Sequence, residues 1–160
     1  MGRKSIKANK NIYQLAREAA GLTREKASDL IRYISPERIE KIESGKTPVH
    51  PDELPLLAKA YKRPDLLNSY CANECPIGKC KEIGEIKNCD FSQVVLQILS
   101  TVSLLESQKN RLIEISADGE ISDDEMKDFN YIRTQLKAIS DQSEALRIWI
   151  EKMGYQENEL

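Results

Sequence analysis

Between Phe91 and Met153, apolar side chains return in alternating steps of four and three. The first run is Phe91, Val95, Ile98, Val102, Leu105 and Leu112, interrupted by Lys109. The second is Phe129, Ile132, Leu136, Ile139, Leu146, Ile150 and Met153, interrupted by Ser143. A stripe of this period needs a partner helix. Asp118-Gly119 breaks the pattern, and Ser122-x-x-Glu125 has the form of a capping box that restarts it. So short a connection folds the helices back antiparallel. The first helix also carries Val94, Leu96, Leu99, Leu104 and Ile113 off its stripe. That is more apolar surface than one partner covers. Residues 91–154 are therefore expected to form a hairpin that pairs with a second copy as a four-helix bundle. The alternative is that the excess packs on the N-terminal part of the chain.

The first half reads as five shorter helices. Asn11 to Ala20 places Ile12, Leu15, Ala16 and Ala19 at helical spacing, with Gly21 as the stop. Thr23 is the N-cap of a second helix running to about Ile31. Ser35-Pro36 is an N-cap followed by Pro at the first helical position, and Gly45 ends that third helix. After the loop Thr47-Pro48-Val49-His50-Pro51, Asp52 is expected to cap a fourth helix carrying Leu54, Leu57, Ala58 and Tyr61. Pro64-Asp65 opens a fifth, through Leu66, Leu67 and Tyr70. The fold class is thus all-α. The expected domains are a five-helix unit over 1–70, a cysteine-containing irregular linker over 71–90, the hairpin over 91–154 and a tail over 155–160.

Charge separates the halves. Residues 1–70 hold 14 Lys and Arg against 9 Asp and Glu, and residues 71–160 hold 10 against 17. A basic first half suggests a polyanionic partner for that half alone. No apolar run approaches the roughly 20 residues of a membrane span. No secretory h-region follows the basic start, so the expected compartment is the cytoplasm.

Specific motifs sharpen this. Leu15-Ala16-Arg17-Glu18, then Gly21-Leu22-Thr23-Arg24-Glu25-Lys26-Ala27-Ser28, then Ile34 to Lys46, and finally Leu57-Ala58-Lys59-Ala60-Tyr61 stand in that order over residues 10–70. This arrangement resembles the phage-repressor-type (Xre-like) helix-turn-helix family of DNA-binding regulators. The resemblance implies that the third helix enters the major groove of double-stranded DNA while the second crosses the backbone. It implies phosphate contact by Arg24, a reach to the backbone by Lys46, and recognition positions at Pro36, Glu37, Arg38 and Lys41, while Ser35, as a cap, leaves its helix N-terminus free to meet phosphate. Arg38 has the chemistry to read guanine, and Glu37 to accept from cytosine N4. The basic arm Arg3, Lys4, Lys7 and Lys10 would wrap phosphates or enter a groove. The resemblance also implies a buried Arg17–Glu43 ion pair between the first and third helices. The chain departs from the family pattern in two ways. The turn Leu30-Ile31-Arg32-Tyr33-Ile34 is one residue longer and lacks the usual Gly, and the third helix carries Glu37, Glu40 and Glu43.

Cys71, Cys75, Cys80 and Cys89 are spaced C-x3-C-x4-C-x8-C. In a reducing compartment these are thiols or metal ligands. If the fifth helix reached Glu74, Cys71 and Cys75 would share one face, and with Cys80 and Cys89 could hold Zn. Plain buried thiols are the alternative. His50 reads as a loop residue. Asp118 to Glu125 matches only the second half of a calcium loop, and capping accounts for it. No catalytic constellation is present, so the chain is not expected to be an enzyme. The reading is a sequence-specific transcriptional regulator, dimeric through residues 91–154 on a near-palindromic operator. The alternatives are a protein-binding adaptor on the same scaffold and a metal- or redox-responsive regulator.

Overall fold

Local signals start most of the helices. In the computed structural model, which describes residues 10–87, 90–117 and 119–154, the side chain of Asn11 accepts from the Gln14 N–H at 3.0 Å and opens α1 (Ile12–Ala19). Thr23 caps α2 (Arg24–Ile31), and Ser35 caps α3 (Pro36–Glu43), each accepting from the N–H three residues on at 3.2 Å. Such a cap contributes about 1 kcal/mol by satisfying a donor the helix cannot. Gly45, at φ +71°, lets the chain leave α3 by a left-handed step, and the Lys46 N–H returns to the Lys41 carbonyl. Then follow α4 (Leu54–Tyr61), α5 (Asp65–Asn73), α6 (Pro76–Cys80), α7 (Phe91–Ile115) and α8 (Met126–Met153). The described residues contain no strand, and none of their helices is long and apolar enough to cross a membrane.

The chain divides into two compact units, residues 1–85 and 86–160. The core of the first unit is built from the inward faces of α1 to α5. Ala16, Ala27, Ile39, Leu57 and Leu66 are almost completely buried in it, with Tyr13, Ile42, Val49 and Tyr61 beside them. Each large apolar side chain buried this way contributes about 1.5–3 kcal/mol.

Three local expectations are revised. Asp52 does not cap α4: the helix begins at Leu54, and Glu53 occupies the cap position without a side-chain cap bond. The carboxylate of Glu53 is engaged elsewhere, as described below. The segment after Tyr70 is not irregular throughout. The α5 helix continues to Asn73, and α6 folds back on it so closely that a Cβ on Gly78 would lie 1.9 Å from the Cys71 carbonyl oxygen. The Asn68 amide then donates to the Gly84 carbonyl at 3.1 Å, and this stretch belongs to the first unit. At the hairpin connection, the Glu125 carboxylate does reach back to the Ser122 N–H. The Ser122 hydroxyl, however, donates to that same carboxylate, and the helix starts one residue later, at Met126.

The long turn before α3 is accommodated without extending α2. Arg32 takes φ 64°, its N–H returns to the Ser28 carbonyl at 2.7 Å, and the extra residue, Tyr33, projects outward at 85% exposure. Ile34 then drops back into the core.

In the second unit α7 and α8 run antiparallel. The Phe91 ring stacks on Trp149 at 4.5 Å, Gln142 donates to the Thr101 hydroxyl at 3.0 Å, and Arg111 pairs with Asp128 at 2.7 Å. The residues these contacts join run up α7 as they run down α8. The packed face keeps Ile132 of the expected stripe but shifts by one residue at two positions of α7. Val94 and Thr101 are buried where Val95 and Val102 were expected, and Leu136 stays half exposed. The α7 helix is apolar over so wide an arc that period alone leaves its rotation open.

A left-handed backbone at a non-glycine residue costs about 1–3 kcal/mol. Arg32→Gly is therefore expected to stabilise the first unit by about 1 kcal/mol, read as a higher midpoint in urea denaturation with an unchanged slope.

Candidate nucleic-acid interface

The rear of α3 is held by a single carboxylate. Glu43 is buried, and its two oxygens accept from Arg17 at 2.5 and 3.0 Å. Arg24, at the start of α2, donates its Nε to the same carboxylate at 2.9 Å. Arg17 also donates Nη1 to the Leu22 carbonyl at 2.6 Å, beyond the end of α1. One side chain of α3 is thus bonded to α1 and α2 at once. Tyr61 of α4 lies close by; burial pushes its hydroxyl well above the usual range, and the Glu43 charge adds to the shift, so it stays neutral. At the other end of α1, Asn11 donates to the Ile42 carbonyl at 2.7 Å. The Tyr13 hydroxyl donates to Glu74 at 2.7 Å and ties α1 to the end of α5.

The side of α3 is held by a second clamp. Arg38 donates Nε and Nη2 to the two carboxylate oxygens of Glu53, both at 2.7 Å. Nη1 donates to the Thr47 hydroxyl at 2.6 Å, and Nη2 also reaches the Pro48 carbonyl at 2.9 Å. Glu53 in turn accepts from the His50 N–H at 2.9 Å. The guanidinium has five N–H donors, and at least four of them point into the loop between α3 and α4. This revises the expectation that Arg38 faces a base edge: its fork is engaged inside the protein. The bond to Arg38 is also what lowers Glu53 below the usual carboxylate range, more than offsetting the upward push of burial.

What α3 turns outward is of mixed sign. Glu37, Glu40, Lys41 and Ser44 are exposed, as is Lys46 just beyond the helix. Lys41 and Lys46 make no ion pair among the described residues. The Ser35 hydroxyl and the backbone N–H of Glu37 hold the Glu37 carboxyl below the usual range, and Lys41 adds a smaller attraction. Arg24 is fixed through Nε alone, and its Nη groups have no bond among the described residues. Lys26 and Arg32, which sequence reasoning did not single out for contact, are also exposed. Lys10 is not free; it pairs with Glu18 at 2.6 Å. Arg3, Lys4 and Lys7 lie outside the described residues.

Of the four cysteines, the three described ones are not grouped so as to hold a metal ion. The α5 ladder ends with the Glu74 and Cys75 N–H groups both on the Tyr70 carbonyl, and Cys75 is extended as the residue before Pro76. Cys71 and Cys75 therefore do not lie on one continuous helix. Cys71 and Cys75 are half-buried and Cys80 is exposed. Among the described residues no three His, Cys, Asp or Glu side chains are grouped so as to hold a metal ion. Cys89 lies outside the described residues.

Residues 14–68, from the first turn of α1 into α5, match the family model described as a helix-turn-helix domain. No curated protein and no solved structure matches the chain.

Removing one partner of a buried, hydrogen-bonded ion pair leaves an uncompensated charge and costs about 3–5 kcal/mol. Glu43→Ala is expected to destabilise the first unit by that amount, measured by chemical denaturation. Arg24→Ala, which removes the more exposed of the two cations, should cost much less. The lowered Glu53 carboxyl contributes stability that is fully present above the ordinary carboxylate range and lost as pH falls through its depressed folded value. The stability difference between wild type and Glu53→Gln should therefore be constant above about pH 6 and shrink on acidification. A difference independent of pH down to acid unfolding would contradict the clamp.

Proposed function

We propose, on the premise that residues 14–68 are a helix-turn-helix domain, that this chain is a sequence-specific DNA-binding regulator of transcription that acts as a dimer. The observation that carries the reading is the division of labour on α3. Its inward charges are engaged by α1, α2 and the following loop. Its outward residues Glu37, Glu40, Lys41 and Ser44 are exposed. A helix held rigidly from behind, with polar side chains exposed in front, suits insertion into a major groove.

In this reading Lys41 donates to guanine and Glu37 accepts from a cytosine amino group. Lys46 and the open Nη groups of Arg24 meet phosphate, and the basic arm with Lys4 and Lys7 adds to that attraction. Arg38 takes part indirectly by fixing the loop that carries Lys46 and Thr47. Two copies would occupy half-sites about 34–36 Å apart on one face of the duplex.

A second reading is favoured by one observation: Glu37 and Glu40 put two carboxylates on the exposed face of α3. Facing phosphate they weaken the sequence-independent attraction, whereas facing a basic protein partner they strengthen it.

Selection of duplexes from a randomised pool, followed by binding titrations across a salt series, separates the readings. The DNA reading expects a selected sequence and an affinity that falls steeply with salt. Lys41→Ala should relax preference at one base position by about 1–3 kcal/mol, whereas Lys46→Ala should weaken all sequences alike and reduce the salt slope by about 1. No enrichment, together with no measurable affinity at low salt, would sink the DNA reading and leave the adaptor.

A further inference from the structure

The hairpin uses only one of the two apolar stripes on α7. Against α8 it buries Val94, Thr101 and Ile115. A second stripe, Val95, Leu99, Val102, Glu106, Lys109 and Ile113, climbs the helix in steps of four, three, four, three and four, the spacing of a helix that packs on another. Leu99, Val102 and Ile113 are exposed by 59%, 48% and 58%. Beside this stripe the two helices leave a groove of about 440 Å³, lined by Val102, Leu105, Leu112, Ile113, Ile132 and Leu136. Glu106 and Lys109 also line it, 3.7 Å apart and both well exposed.

The order of these residues selects the occupant. Glu106 and Lys109 lie symmetrically about a point between Ser107 and Gln108, and so do Val102 and Ile113. A second α7 laid antiparallel across that point would face Val102 with the partner subunit's Ile113 and Glu106 with the partner subunit's Lys109. Every contact then repeats itself under a two-fold axis, as an interface between identical subunits requires. A parallel arrangement instead sets Glu106 against its own copy, and like charges so placed repel. We infer that the groove between α7 and α8 is the seat of a second copy of this chain. The two α7 helices would cross antiparallel near residues 107 and 108, and the two hairpins would form a four-helix bundle.

This inference deepens the reading of the chain as a dimeric DNA binder. Its test omits DNA, so the two can fail separately. Sedimentation equilibrium of the full chain should show a monomer–dimer equilibrium. Either single charge reversal, Glu106→Lys or Lys109→Glu, sets like charges opposite each other at two symmetric places and should weaken dimerisation about tenfold. The double reversal should return the affinity to near the wild-type value. Val102→Glu combined with Ile113→Glu should give a monomer that keeps its helical circular dichroism, because both side chains are exposed in the single chain. A wild type that stays monomeric at about 100 μM, where weak dimers with dissociation constants in that range would be seen, would overturn the proposal. So would single reversals without effect, or a double reversal no better than either single one. In each case sequence-selective DNA binding by residues 14–68 would remain open to its own test.

Discussion

The carboxylate of Glu43 is the point on which the first unit is organised. It is the last residue of α3, it is buried, and it accepts from guanidinium groups of both α1 and α2. A buried carboxylate stripped of its buried partner Arg17 would carry a poorly compensated charge. The three helices are therefore tied to one geometry, and the exposed side of α3 inherits that rigidity. The pair is weak evidence of net stability, because desolvation offsets much of the attraction. Its value lies in orientation. Two arginines on one carboxylate also leave a positive charge beside the N-terminus of α2, where Arg24 keeps its Nη groups open.

The Arg38 clamp extends the same logic forward along the chain. By bonding to Glu53, Thr47 and the Pro48 carbonyl, it makes the loop after α3 a continuation of the helix's frame. The charges of α3 thus fall into two groups. Arg38 and Glu43 are satisfied inside the protein, while Glu37, Glu40 and Lys41 face outward. Read as a bare string, α3 looks too acidic for a polyanion. In the fold, the most buried of its three carboxylates is overcompensated by arginines. The hairpin shows the same economy with apolar surface, because α7 commits one stripe to α8 and leaves the other on the outside.

Much of this was legible in the sequence for local reasons. Asn, Thr and Ser before an apolar-periodic run can satisfy the first free N–H groups of a helix, and Asn11, Thr23 and Ser35 do so. The Arg17–Glu43 pair followed from the resemblance of the surrounding motifs. Glu53 as partner of Arg38 did not, since fifteen residues and a two-proline loop separate them and no short-range pattern links them. Asp52 looked the better cap because its neighbour's commitment to Arg38 is a tertiary fact. The cysteine segment was misjudged because a five-residue helix packed on α5 depends on one close approach at Gly78. Neither composition nor period reports such an approach.

The sequence by itself determined where α1, α2 and α3 begin, because capping and turn chemistry act over three or four residues. It also determined that residues 91–154 double back, because the period of the apolar stripes and the shortness of the break admit little else. Only the tertiary structure decided how far α7 rotates against α8, and that Arg38 of α3 turns toward Glu53. Those choices compare the burial of alternative faces of one helix, and faces become unequal only when a particular neighbour arrives with its own shape and hydrogen-bonding groups.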